Sequence, residues 1–307
     1  LVSVALCAAS GDTRRMLVQR STSPTTGVAV ARVALCILGV VSVLGACGAP
    51  ASHPASPEPP AAAEPTLRRV EAPTVPLESE ALAELPGLRS DHVALAVAFP
   101  ERFDAAHEHP ILITQVATNP SRSNIDGLTA YAPTALAAGY VVLAAQGIPW
   151  PPTPRSDTIA HRYASVRAAL RWLAGEVPPS QGWPVVLAGF SGGAKITQAL
   201  VFSLLLEGRR VGGVFLGGCN EGYSELLLRE FPAAKERFTQ VPFFLSVGEE
   251  DRISPPDSVR AVANELRRSG VQRVELSVHR GGHRLDPHDL GKALGWLRAR
   301  SPEPAGR

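Results

Sequence analysis

The stretch Pro184-Val185-Val186-Leu187-Ala188-Gly189-Phe190-Ser191-Gly192-Gly193-Ala194-Lys195 holds the end of one secondary-structure element and the start of another, with almost no room between them. Pro184 to Ala188 is a short apolar run with no polar face, which suits a strand buried on both sides. Gly193 to Leu206 follows as a helix. The reversal between the two is so sharp that side chains at its flanks would strike the sheet or the incoming helix. Gly189 and Gly193 leave that space empty, and Ser191 is held up at the helix N-terminus. The helix dipole and the N–H of Gly192 there face any negative charge that develops beside the serine.

Outward from this turn the same strand-then-helix unit recurs. On the N-terminal side, His92 to Phe99 and Ile111 to Ala117 read as strands, and Leu128 to Ala138 as a helix closed by Gly139. Tyr140 to Ala145 is a strand without a polar face and belongs at the sheet centre. A Pro- and Trp-rich loop, 146–155, leads to a helix that Ser156 or Asp157 can cap and that runs to about Glu176, with Ile159, Tyr163, Val166, Leu170 and Leu173 on its apolar stripe. On the C-terminal side come strand Val211 to Leu216, a short helix Glu221 to Glu230 and strand Val241 to Val247. Ser254-Pro255-Pro256-Asp257 then opens a helix, with Ser254 as its cap, that stops at Gly270. Strand Val274 to Val278 and a helix from Asp286-Pro287 to near Arg300 complete the pattern. This alternation implies an α/β fold, a mostly parallel central sheet with helices on both faces. Residues 78–300 contain no internal linker and read as one domain, with 301–307 as a disordered tail.

The 307 residues are 45% hydrophobic and 19% charged, with a net charge of +2 scattered along the chain, so a phosphate-backbone partner is not indicated. Cys7, Cys36 and Cys47 lie in the N-terminal part and Cys219 alone in the expected domain, which leaves no internal disulfide there. Val28 to Ala46 is apolar except for Arg32 and Ser42, follows Arg14, Arg15 and Arg20, and ends in Leu44-Gly45-Ala46-Cys47. That is the layout of an export signal, and its end resembles the lipobox of bacterial lipoproteins. The resemblance implies a signal peptide over 1–46, with Met16 as its start and 1–15 superfluous. It further implies cleavage before Cys47, lipidation of that thiol, and a domain exported and anchored to the bacterial cell envelope. The same run is also just long enough to cross a bilayer uncleaved. Residues 47–77, rich in Ala, Pro and Glu, read as a tether.

The chemistry-bearing residues fall just past strand ends, where open α/β sheets place ligands. Gly189 to Gly193 is a G-x-S-x-G run between a strand and a helix, a weak signal alone in a chain with 27 glycines. Two further strand ends strengthen it: Gly248-Glu249-Glu250-Asp251 and Gly281-Gly282-His283. Serine, acid and histidine thus follow one another in an order that suits nucleophilic catalysis, with Ser191 as nucleophile, His283 as base and then acid, and Asp251 orienting the imidazole. Glu249 or Glu250 could stand in for Asp251, while His279 and His288 lie within a strand and a helix and are poorer bases than the loop residue His283. His107 and His109 flank Glu108 in what reads as a solvated loop, no metal-ligand spacing stands out, and the Gly-rich runs lack the order of a nucleotide site, so no cofactor is expected.

Residues from about His92 to Ala299 resemble α/β-hydrolase-fold serine esterases, the Gly248–Asp251 run matching the acid turn and Gly281–His283 the histidine loop. The resemblance implies a carboxylesterase-like enzyme working through an acyl-enzyme. The second oxyanion donor is a backbone N–H, of Thr118 or of Ala117, because the His-Gly motif that such enzymes carry after this strand is missing here. Trp150 and Phe190 are candidates for an apolar wall beside Ser191. Only about 24 residues separate the strand ending at Leu216 from the next at Val241, too few for a large lid, which favours small or soluble acyl esters. A peptidase of the same fold and a catalytically silent binding lipoprotein are the competing readings; the oligomeric state is not legible.

Overall fold

A computed structural model describes residues 2–5, 17–20, 70–79, 91–117, 124–145 and 159–302. Cys47, Thr118, Trp150, the apolar run 28–46 and the tail from 303 onward lie outside the described residues. Strands β1 (Val2–Ala5) and β2 (Leu17–Arg20) pair with each other as a separate two-stranded sheet.

The main sheet contains β3 (Val70–Glu71), β4 (Thr74–Pro76), β5 (His92–Ala98), β6 (Ile111–Gln115), β7 (Val141–Ala145), β8 (Val185–Phe190), β9 (Val211–Gly217), β10 (Phe243–Gly248) and β11 (Val274–His279). Its order is β11-β10-β9-β8-β6-β7-β5-β3, with β4 also on β5. The six strands from β7 to β11 along this path are parallel, and β5 runs against β7. Period-two alternation sends Ile111, Ile113, Val141, Leu143, Val185 and Leu187 into one core and Leu112, Val142, Ala144, Val186 and Ala188 into the other. The first core is covered by α2 (Ile159–Glu176), α3 (Gly192–Leu206) and α6 (Pro256–Arg268), the second by α1 (Asn124–Ala137) and α7 (Pro287–Arg298). The result is a single α/β domain with helices on both faces.

Between β9 and β10 lie only two short α-helices, α4 (Ser224–Glu230) and α5 (Lys235–Gln240), joined by a 3-10 turn at Pro232–Ala234. The Phe238 ring of α5 stacks on Phe202 of α3 at 4.4 Å, so this segment is docked on the flank of the domain. The described residues therefore contain no large lid.

Two expectations need correction. The domain starts before residue 78: β3 and β4 extend the free edge of β5, pairing Val70 with Ala98 and Val75 with Val93, and Val75 and Leu77 are each 6% exposed. Pro73 and Pro76 gave this stretch the composition of a tether, yet an edge strand tolerates proline because one of its sides makes no ladder bonds. Glu78 continues the anchorage through ion pairs to Arg167 (2.6 Å) and Arg171 (2.5 Å) on α2. Nor does Ser254 cap α6. Its hydroxyl instead donates to the Gly218 carbonyl at 2.7 Å, across to the end of β9.

Burying Val75 and Leu77 is worth about 3–5 kcal/mol. A chain beginning at residue 78 should therefore unfold roughly 5 °C or more below one beginning at 69. Thermal melts of the two fragments followed by circular dichroism test this, and equal midpoints would mean the edge strands add nothing.

Candidate active site

Ser191 is the one non-glycine residue with positive φ among those described (φ 56°, ψ −122°). Such a conformation costs about 1–3 kcal/mol and persists only where its surroundings enforce it. Enforcement comes from both sides of the turn. The Ser191 N–H donates to the Gly217 carbonyl at 2.8 Å, and the Ser191 carbonyl accepts from Ala194 N–H at 3.0 Å as α3 begins. A Cβ built on Gly189 would stand 2.4 Å from the Gly193 carbonyl oxygen, and one on Gly193 only 2.1 Å from that of Gln115. One built on Gly192 would meet Ala117 Cβ at 3.2 Å. The segment leaving β6, 115–117, is thus draped over the N-terminus of α3, whose first N–H groups have no acceptors within the helix.

The acid and the histidine arrive from β10 and β11, neighbours in parallel register with Gly248 opposite His279. Beyond that pair the two loops run side by side, Glu249 N–H donating to the His279 carbonyl (2.8 Å) and Glu250 N–H to that of Gly281 (3.0 Å). Gly248 permits this closeness, because a Cβ there would stand 2.2 Å from the Gly281 carbonyl oxygen. Asp251 is 3% exposed. One of its oxygens accepts from the N–H groups of Ile253 (2.9 Å) and Ser254 (2.7 Å), and the other lies 2.8 Å from His283 Nδ1. With both oxygens occupied the carboxylate cannot swing, and a proton on Nδ1 leaves Nε2, on the ring edge away from Asp251, free to accept one.

The imidazole is seated against the serine turn. Its ring lies 4.8 Å from that of Phe190, and its Cε1 would be 3.1 Å from a Cβ on Gly218, the residue after the acceptor of the Ser191 N–H. The Ser191 turn and the Asp251–His283 pair therefore lie next to one another at the C-terminal end of the sheet, with Ala117 beside Gly192. Glu249 and Glu250 are exposed and His288 lies exposed on α7, while His279 Nδ1 contacts the Arg280 carbonyl at 3.0 Å. Phe190 packs on His283, which gives it a contact the sequence did not suggest.

Other candidates have different occupations. His107 Nδ1 contacts Asp104 Oδ2 (2.8 Å), and His109 packs against Phe103 and Trp183. No cluster of three or more metal-ligating side chains occurs among the described residues. Burial pushes the Cys219 thiol up to about 12, so at neutral pH it is protonated and a poor nucleophile. Sequence reasoning missed Arg162, buried on α2 and donating to the Val116 carbonyl at 3.0 Å. Its signal was available, since it falls between Ile159 and Val166 on the apolar stripe at helical spacing.

Several solved structures share this architecture. They include a bacterial heroin esterase (18% identical, TM-score 0.53, covering 78% of this chain and 87% of that one) and a protein from Thermus thermophilus (21%, 0.51, 77% and 100%). A third is a thermophilic esterase from Thermogutta terrifontis with propionate bound (16%, 0.51, 78% and 98%). The likeness establishes the α/β-hydrolase fold. No protein-family profile matches the chain, and no curated protein sequence resembles it.

Adding one methyl at residue 193 would force the β6 segment off α3. Gly193→Ala should lose at least about 2–3 kcal/mol of stability. Gly182→Ala, where a Cβ meets nothing within 4 Å, should stay within about 1 kcal/mol of the parent. Urea unfolding of both variants measures the contrast, and equal midpoints would show that the β6 segment is free to shift.

Proposed function

We propose that this protein is a serine hydrolase that cleaves carboxylic esters of small or soluble acyl groups through an acyl-enzyme. The observation that carries the reading is the buried Asp251 carboxylate bonded at 2.8 Å to His283, whose ring is seated against the strained Ser191 turn. A serine hydroxyl is a weak nucleophile until a base takes its proton. His283 Nε2 takes it as Ser191 Oγ attacks the ester carbonyl, and Asp251 stabilises the imidazolium. The negative charge that collects on the carbonyl oxygen meets the Gly192 N–H and the positive end of α3. His283 then returns the proton to the departing alkoxide, and a water repeats the sequence on the acyl-enzyme. The chain's own side chains and backbone suffice for each step.

Esterases among the structural neighbours, one with propionate bound, support carboxylic esters as substrates. The short, flank-docked segment between β9 and β10 favours small or soluble ones. Export and lipid anchoring through Cys47 belong to the same proposal and rest on the Leu44-Gly45-Ala46-Cys47 sequence.

A fluorophosphonate probe and a short-chain aryl ester test the chemistry. Labelling at Ser191 should vanish in Ser191→Ala and fall by at least about 1,000-fold in rate in His283→Ala, with ester turnover following. A folded chain that takes no label would favour a silent binding protein, and label without ester turnover would favour a peptidase. In bacterial cells fed a radiolabelled fatty acid, the full chain should incorporate label and Cys47→Ser should not; label retained in Cys47→Ser would sink the anchoring proposal.

A further inference from the structure

We propose that Arg162 is a positioning residue for the oxyanion hole, holding the peptide that presents the Ala117 N–H beside that of Gly192. The inference rests on the hydrolase reading above. Arg162 sits in the first turn of α2 and is 2% exposed, on a stripe whose other members are apolar. Packing alone would be served by leucine. A guanidinium keeps its charge in a protein, so burying one is costly unless its N–H groups find acceptors. Here Nη1 donates to the Val116 carbonyl (3.0 Å) and approaches Gln115 Oε1 (3.5 Å), both at the end of β6.

Peptide planarity carries the consequence forward. In a trans peptide the C=O and the following N–H point in opposite directions. With the Val116 oxygen drawn toward α2, the Ala117 N–H is turned away from α2. Ala117 itself lies against Gly192, its Cα and Cβ 3.5 and 3.2 Å from where a Cβ on that residue would stand, and the Val116 carbonyl carbon is 3.1 Å from the corresponding point on Gly193. The donor is therefore set next to the helix N-terminus that supplies the first one. Ala117 has no side chain able to fix its own peptide, and the chain lacks a His-Gly motif after β6. A charged donor behind the loop supplies the orientation and polarises the peptide it holds.

The test compares Arg162→Met and Arg162→Lys with the parent full chain, using p-nitrophenyl acetate turnover per active site counted with the fluorophosphonate, alongside thermal melts. In Arg162→Met, kcat per counted site should fall roughly 100-fold with KM changed less than about threefold, the signature of a lost oxyanion donor. Arg162→Lys, which keeps the charge but lacks the fork, should recover about tenfold of that loss. Parent-like kcat per site in a cooperatively melting Arg162→Met overturns the inference, as does a loss confined to KM or to the number of labelled sites. If Arg162→Met does not fold, Arg162→Lys decides: kcat lowered about tenfold at unchanged KM supports positioning, and parent-like kcat overturns it. A parent chain that neither labels nor turns over overturns the hydrolase reading and this inference together.

Discussion

A backbone-to-backbone contact at Gly193 underlies everything at the reactive end of this molecule. The Gln115 carbonyl oxygen lies where any side chain on residue 193 would have to begin, so the end of β6 and the start of α3 touch with nothing between them. That contact exists because β6 and β8 are neighbours in register, Gln115 opposite Gly189, and because the chain turns from β8 into α3 within one strained residue. The strain at Ser191 is borne by the sheet through the Gly217 carbonyl and by the helix through its first turn. A larger residue at either end of the turn would force the strand and helix apart and shift the half-buried Ser191.

The acid and base halves are joined by a second set of tight contacts. Gly248 lets the loops after β10 and β11 run side by side, and Ser254 fastens the acid loop to Gly218 at the end of β9. Asn220 adds a bond to the Ile253 carbonyl at 3.0 Å. Deeper in the sheet, Ser246 and Ser277, opposite one another in register, both donate to the buried Asp289 of α7, at 2.7 and 2.8 Å. Three strand ends and one helix are thus tied together, which holds the Asp251–His283 bond without any residue dedicated to that bond alone.

Much of this was legible in the sequence, for identifiable reasons. Apolar runs such as Val141 to Ala145 announce central strands because both of their faces need cover, and Ser191 and His283 stand out because glycines crowd around each, Asp251 because it follows a strand end at Gly248. Strand order was not legible, since it depends on which faces pack. Val70 to Pro76 was hidden by its prolines, which an edge strand accepts and a central one does not. Ser254 carries the same local signature whether it caps its own helix or reaches for Gly218. Arg162 was masked by its neighbours: a stripe is recognised by its apolar members, and a charge within it declares itself only once the carbonyl it serves has been located.

The direction of β3 has a practical side. Val70 pairs with Ala98, at the end of β5 that lies beside the start of β7, so the chain enters the sheet at the end opposite Ser191. Its last described residues also gather there, Ser301 lying against Gly212 near the start of β9 and the Pro302 carbonyl accepting from Arg210. The domain's first strand, at Val70, and its last described residue, Pro302, therefore both lie at the floor of the sheet, while Ser191 lies at its opposite end. A surface joined next to Val70 or Pro302, whether a bilayer or a chromatography bead, would hold the domain with the Ser191 end of its sheet turned away from that surface.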